Sequence, residues 1–477
     1  MSESTEPDSN SKFRPKKFKT RIFTPCQSTV RELIEKDISF RAFYNLACSI
    51  TACFVVTFVI QYYFDPDMLW SDIDFLLWNF SNLKIALLTD IILHLIVIFI
   101  FHPFVISSMK IFKNSGEFFY EFNLELMKGL STARLILFVG TTTIIVIISY
   151  GVINYSLIYL SPVLKFAIIC EKLRLIFKML SFLSAITGQN NNQDGATVAE
   201  NNNNQDGAKS IQSITYFLFA PTLLYRTSYP RTQKINFYNV WINFYHFVIL
   251  SFCLLLIVNH QLIPTMEHFG KRPITTIELI NMIYNILLIS LPVLIIFFFF
   301  FFESYLNLAA ELTRFADRGF YQDWWNARGP DETFRKWNTL IHDFIHEVFY
   351  KPIAMKYGKN VATLVVFILS ATLHEYVLVL SLGVSLSYLW IITFSLPLFM
   401  GIALSIHKRT LDKEGMRNFD ISFHFVLFNG QIITYTALLF LYSMEFYARK
   451  NCPNSDKLSF SQKIGLKSFG LACLQIV

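Results

Sequence analysis

The chain opens polar and then turns apolar in long blocks. Residues 1–41 hold Lys12, Arg14, Lys16, Lys17, Lys19 and Arg21 and no apolar run. Residues 42–64 carry no charge, and apolar blocks recur at 85–106, 135–164, 239–263, 279–302 and 421–444. Blocks of about 20 apolar residues are the length a helix needs to cross a bilayer. Residues 361–407 have Glu375 as their single formally charged side chain, which allows two spans with a break near Gly383. Lipid cannot satisfy bare backbone N–H and C=O groups, so these spans are predicted helices. The pattern predicts an all-α polytopic membrane protein: eight clear spans, and about nine transmembrane helices if 165–187 is included.

Segment 165–187 is the ambiguous one. Lys165, Glu171, Lys172, Arg174 and Lys178 interrupt an apolar helical pattern. It is expected to lie in the interface, or to span while lining a wet cavity. Residues 188–210 form an Asn-rich insert in which Asn-Asn-Asn-Gln-Asp-Gly-Ala occurs at 190–196 and again at 202–208. Such polar repeats bury too little apolar surface to order themselves. Residues 303–360 are polar, aromatic and charged, and too long for a simple connector. The organisation is therefore a polar, partly disordered cytosolic N-terminus (1–41), N-terminal membrane helices (42–187), the insert (188–210), a catalytic membrane core (211–450) and a tail (451–477).

Composition removes the main alternative. A chain of 477 residues would suggest about three soluble domains, but 53% of its residues are hydrophobic and 16% charged. Ordinary soluble domains are about 25% charged. The net charge of +7 is weighted toward the N-terminal cluster, which reads as a cytosolic flank under the positive-inside rule. Attached to a membrane core, it argues against nucleic-acid binding. The first apolar run is expected to act as the membrane signal. Cys26, Cys48, Cys53, Cys170, Cys253, Cys452 and Cys473 are scattered with no Cys-x-x-Cys, so neither a disulfide framework nor a zinc site is expected.

Two features carry candidate chemistry. His374 lies deep in an apolar run, where an ionisable group is costly unless it faces a cavity or partner. Ser370, four residues earlier, shares its helix face; Glu375 projects about 100° away. The Ser–His pair permits a nucleophile and base, or simply a Ser bonded to its own backbone. The second feature is Phe320-Tyr321-Gln322-Asp323-Trp324-Trp325-Asn326, followed by Trp337-Asn338 and His342. Its aromatics suit a membrane interface. His342 and His346 have a metal-like i,i+4 spacing, but no third ligand is evident, so no metal is expected.

The seven-residue motif, the later Trp337-Asn338-x-x-x-His342 and the His374-Glu375-Tyr376 in an apolar helix together resemble the membrane-bound O-acyltransferase superfamily. The resemblance is to its branch of sterol and diacylglycerol O-acyltransferases, and it runs from about residue 30 to the C-terminus apart from the insert. Phe219-Ala220-Pro221-Thr222-Leu223-Leu224-Tyr225-Arg226 also looks like a branch motif. Arg31-Glu32-Leu33-Ile34-Glu35, Glu171-Lys172-Leu173-Arg174 with Lys178 and Ser181-Phe182, Phe315-Ala316-Asp317-Arg318, and the tail Tyr442–Arg449 with Cys452-Pro453 are closer to sterol enzymes. Phe349-Tyr350-Lys351-Pro352 looks more like the diacylglycerol enzymes, and Phe428-Asn429-Gly430-Gln431 stands where the branch has Gly-Asn-Gly.

The resemblance implies transfer of a long-chain acyl group from acyl-CoA, a substrate rather than a cofactor, to a membrane-dissolved sterol. Diacylglycerol is the alternative acceptor; a transporter is the alternative of a different class. His374 matches the family's catalytic base. Asn338 matches its second signature position, orienting reactants or donating to the oxyanion. Arg335 and Lys359 match positions near CoA; Trp337, His342 and Tyr350 match tunnel-lining positions; Ser370 would meet the thioester. Phe320, Tyr321, Asp323, Trp324, Trp325 and Asn326 would shape the substrate site or the fold around it. An endoplasmic-reticulum location and a homo-oligomer are further implications.

Overall fold

The computed structural model describes residues 20–106, 158–186, 211–267, 274–327 and 330–382. Five helical stretches are long and apolar enough to cross a membrane: Ile38–Phe64, Pro66–Ile106, Phe237–Met266, Thr276–Thr313 and Lys359–Ser381. The protein is all-α, and among the described residues β pairing is confined to two isolated bridges, Cys26 with Asp317 and Arg231 with Phe315. Of the predicted span 135–164 only 158–164 is described, and there a helix already begins at Pro162. Residues 383–407 and the predicted span 421–444 lie outside the described residues. So do the Asn-rich insert, the tail, Phe428–Gln431 and, with them, the count of nine.

Local chemistry explains most helix starts. Helix α1 (Thr29–Lys36) begins at Ser28, whose hydroxyl accepts from the Arg31 N–H. Helix α2 (Ile38–Phe64) begins at Asp37, whose carboxylate accepts from the N–H groups of Ser39 and Phe40. Such caps satisfy donors that the first helical turn leaves unpaired. Helix α3 (Pro66–Asn79) has Asp65 as cap and Pro in its first turn, where a missing N–H costs nothing. Asn82, in the left-handed region at φ 62°, separates it from α4 (Leu83–Ile96). The apolar side chains of α2, including Phe43, Leu46, Ile50, Val56 and Val59, face outward, as a lipid-facing helix requires.

Segment 165–187 buries two of its charges, Lys172 and Lys178, in protein. Helix α5 (Pro162–Ile186) packs its Ile168, Leu175, Met179, Phe182 and Leu183 against α4 and the short α6 (Ile211–Phe219). Lys178 is 1% exposed, and its ammonium donates to the carbonyls of Phe217, Leu218 and Ala220. Buried cations need such partners. Ser181 Oγ accepts from the Tyr225 N–H at 2.8 Å. The two branch-like stretches, Glu171–Phe182 and Phe219–Arg226, thus clasp one another.

Helix α7 (Phe237–Ile257) is capped by Asn236 and runs on through a π turn, Val258–Leu262. Helix α8 (Thr276–Phe298) starts with a capping box between Thr275 and Glu278. It continues through a π turn, Phe299–Tyr305, into α9 (Leu306–Thr313). The predicted boundary at residue 303 is therefore eleven residues early: Glu303 lies inside the helix, and its carboxylate has partners there. Three amphipathic helices follow, α10 (Pro330–Trp337), α11 (Thr339–Ile345) and α12 (Lys351–Tyr357), with a π turn His346–Tyr350 joining the last two. Helix α13 (Lys359–Leu382) packs on α5, on α12 and on that π turn.

Candidate active site

The signature segment Phe320–Asn326 sits beneath α8. Helical geometry splits the six-Phe run: Phe298 and Phe302, four residues apart, share a face and are 1% and 4% exposed. Phe298 meets Tyr321, Trp324 and Trp337 with ring centroids 4.8, 5.4 and 4.9 Å away. Phe300 instead stacks on Phe247 of α7. Phe320 and Tyr321 are fully buried, and Trp325 stacks on Phe40 of α2.

Backbone bonds lock the segment to the helices after it. The Gln322 N–H donates to the Lys336 carbonyl at 2.8 Å, and the Thr339 N–H to the Phe320 carbonyl at 3.0 Å. Lys336 pairs with Asp323 at 2.9 Å. The Asn326 N–H closes a turn onto the Asp323 carbonyl. Tyr321 donates its hydroxyl to Glu303 Oε2 at 2.8 Å, and Ser28 donates to Oε1 at 2.8 Å. Burial first, and then the Glu303 carboxylate, push the Tyr321 phenol well above its ordinary range, so it stays a hydrogen-bond donor.

Asn338 is the N-cap of α11; its Oδ1 accepts from the Ile341 N–H at 3.1 Å. Its remaining amide NH2 is the group with donating capacity. His342 Nδ1 lies 3.1 Å from Asp343 Oδ1. The rings of His342, His346 and Tyr350 follow one another at four-residue steps, near-parallel, with centroids 6.0 and 5.6 Å apart. Burial, and secondarily His342, lower the His346 pKa. Arg335 and Lys359 are exposed, and the Phe334–Phe367 ring contact at 5.8 Å fastens α10 to α13 two turns beyond Lys359.

His374 Nδ1 lies 2.7 Å from the Ser370 carbonyl oxygen. A carbonyl only accepts, so Nδ1 carries the proton and Nε2 carries the lone pair. The contact is with the backbone of Ser370, not its hydroxyl. Tyr376 projects about 200° around the helix from His374 and accepts from buried Lys172 at 3.0 Å. An open cavity of about 240 Å³ lies along Thr372, Glu375, Tyr376, Val379 and Leu380.

The structure thus gathers Phe320, Tyr321, Trp324 and Trp337 into one aromatic cluster. Trp337, expected along a tunnel, makes packing contacts there. His342 and Tyr350 share a second group, while His374 and Ser370 stand on a separate helix. Several polar groups went unread in the sequence. Glu303 also lies 3.8 Å from Arg31. Glu347 accepts from Arg226 at 2.8 Å and from the Arg21 backbone N–H at 2.7 Å. A charge directly after six Phe was the available signal for Glu303. One His–carboxylate group, Asp90, His94 and Glu171, brings its ligand atoms within 4.8 Å of one another. Arg174 donates to both Glu171 oxygens and lies 3.3 Å from His94 Nε2, so a guanidinium stands where a cation would bind.

Known proteins show the same chemistry class. The family model described as MBOAT, membrane-bound O-acyltransferase family, matches residues 53–438. The chain is 28% identical over 451 residues to sterol O-acyltransferase 1 of Rattus norvegicus, covering 91% of this chain and 75% of that protein. It is 27% identical to sterol O-acyltransferase 2 of Mus musculus over 455 residues, covering 94% and 81%. With sterol O-acyltransferase 2 of Homo sapiens it shares 27% identity over 439 residues, covering 91% and 77%.

Proposed function

Because the chain belongs to the membrane-bound O-acyltransferase family, and so is a multi-pass membrane acyltransferase, we propose that it esterifies a membrane-dissolved sterol with the acyl group of a long-chain acyl-CoA, using His374 as general base. The observation that carries the base assignment is the His374 Nδ1 contact with the Ser370 carbonyl at 2.7 Å. It leaves Nε2 as the basic nitrogen on a helix that crosses the membrane. The names of the relatives favour a sterol as acceptor.

The reaction balances with side chains alone. His374 Nε2 takes the sterol hydroxyl proton as the oxygen attacks the thioester carbonyl. Negative charge builds on the carbonyl oxygen, and the Asn338 amide donates to it. The C–S bond then breaks, the thiolate takes the proton back from the ring, and the ester stays in lipid. No acyl-enzyme is required, so Ser370 serves as a carbonyl anchor for the base. Arg335 and Lys359, exposed at the ends of α10 and α13, are charge-assisted donors for CoA phosphates. His342 and Tyr350 meet the acyl donor between them. The endoplasmic-reticulum membrane as location and a homo-oligomeric state rest on the resemblance.

Membranes carrying the protein, given labelled oleoyl-CoA with either cholesterol or diacylglycerol, test this reading. Sterol ester is expected. Triacylglycerol as the sole product would overturn the acceptor assignment, and no ester from either acceptor would overturn the reaction. His374→Ala is expected to lower turnover by about 10²- to 10⁴-fold, the range of general-base catalysis, with insertion intact. Near wild-type turnover would remove His374 from the chemistry.

A further inference from the structure

The segment before α1 is an extended strap held down along its length. The Cys26 N–H donates to the Ala316 carbonyl at 3.0 Å, and the Arg318 N–H returns a bond to the Cys26 carbonyl at 3.2 Å. The Thr24 N–H donates to Asp317 Oδ2 at 3.1 Å, and the Thr29 hydroxyl to the Tyr321 carbonyl at 2.7 Å. At the head of the strap stands Arg21. Its Nη2 lies 3.0 and 3.1 Å from the two oxygens of buried Asp317, and its backbone N–H donates to Glu347. Its Nε lies 3.6 Å from Asp343 Oδ2.

Asp343 faces two ways. One oxygen is toward Arg21, and the other is 3.1 Å from His342 Nδ1. An ionised carboxylate only accepts, so His342 carries a proton on Nδ1 and turns Nε2 away from Asp343. Carboxylate partners set the tautomer and ring orientation of a histidine in this way. The bonds to Asp317 and Glu347 fasten the strap to the turn after α9 and to the π turn His346–Tyr350. The contact with Asp343 is the one that reaches a residue placed at the acyl donor.

We propose that Arg21 is a positioning residue: it pins Asp343, which in turn fixes the tautomer and orientation of His342 toward acyl-CoA. This rests on the reading of His342 as an acyl-donor contact. The strap would then be part of the donor site although it precedes the first spanning helix.

Initial-rate kinetics on the purified full chain test the idea, varying oleoyl-CoA at saturating sterol and then the reverse. Asp343→Asn, which weakens the His342–Asp343 hydrogen bond, should raise KM for oleoyl-CoA by about tenfold, the scale of one hydrogen bond to a charged group. Arg21→Gln, which removes a 3.6 Å ion-pair contact, should raise it by no more than that. KM for sterol should stay within about twofold in both. Arg21→Lys, which keeps the charge and loses the guanidinium fork, should recover part of the loss. The double variant should be no worse than the worse single, because the two residues act in series. Asp343→Asn leaves the strap's bonds to Asp317 and Glu347 in place, so it tests the Asp343–His342 step if Arg21→Gln misfolds, and Arg21→Lys then tests the Arg21 step. Full additivity, equal rises in both KM values, or a wild-type Asp343→Asn enzyme would each overturn the proposal. His342→Gln separates the two levels. A raised oleoyl-CoA KM there with none in Asp343→Asn removes the positioning role alone. An unchanged KM in His342→Gln removes the donor role of His342 and the positioning role with it.

Discussion

Asn338 has two tasks that substitution can separate. Its Oδ1 caps α11, while its amide NH2 is assigned to the oxyanion. Asn338→Ser keeps a good N-cap, since Ser and Asn rank together there, but has no amide. Thermal stability should be nearly unchanged and turnover should drop by about 10²-fold, the usual loss for one oxyanion donor. Asn338→Ala should lose turnover and also about 1 kcal/mol of stability. A Ser variant with full turnover would reduce Asn338 to a cap. His346 gives a pH prediction. Burial lowers its pKa below the ordinary 6.5, so the folded protein binds this proton less readily than the unfolded chain does. That contribution to stability is complete above about pH 6.5 and is lost as pH falls through that value toward the lowered pKa. Melting curves of His346→Gln should therefore fall less steeply between pH 7 and 5 than those of the parent; parallel curves would contradict the assignment.

At the scale of elements, the aromatic cluster ties the signature segment to the middle of a spanning rod. Phe298→Ala removes contacts to Tyr321, Trp324 and Trp337 together and should cost about 3–5 kcal/mol. Phe297→Ala, on a different face of the same run and 38% exposed, should cost much less. Equal losses, followed by detergent melting, would mean that the six-Phe run acts by bulk hydrophobicity. The sequence made such a run visible without showing which two rings turn inward, because that depends on where Tyr321 and Trp337 arrive from farther along the chain. Spans at Ile38–Phe64 and Lys359–Ser381 were legible for the opposite reason: lipid imposes its requirement locally. In helix α5 charge in an apolar pattern indicates a need for partners without saying which, and the partners of Lys178 are backbone carbonyls near residue 218 that leave no mark in composition.

For the whole molecule, the buried ion pairs join parts of the chain that the spans keep apart. Arg226, in the loop after α6, meets Glu347 on the π turn before α12 at 2.8 Å, and Glu347 is 3% exposed. A double-mutant cycle with Arg226→Gln and Glu347→Gln should show strong coupling, each single change costing about 3–5 kcal/mol and the pair far less than the sum. Additive losses would mean that the two regions are held independently. His374, Asn338 and the signature motif were legible as a resemblance. Their division of labour was not: much of the motif is committed to holding α8, α10 and α11 together, with Tyr321 bonded to Glu303 and Asp323 to Lys336. The motif therefore marks the family more directly than it marks the acceptor.

The clasp between Lys178 and the carbonyls at 217, 218 and 220 also bears on how the chain is made. During synthesis α5 emerges before α6, with Lys178 still lacking the carbonyls that hold it. A translocon offering only lipid would reject it. Helix α5 should wait at the membrane surface until α6 and the Phe219–Arg226 stretch have been translated, and then integrate with them as a unit. Glycosylation-tag mapping of nascent chains ending at residue 186 and at residue 230 would read this directly, with stable integration of α5 expected only in the longer chain.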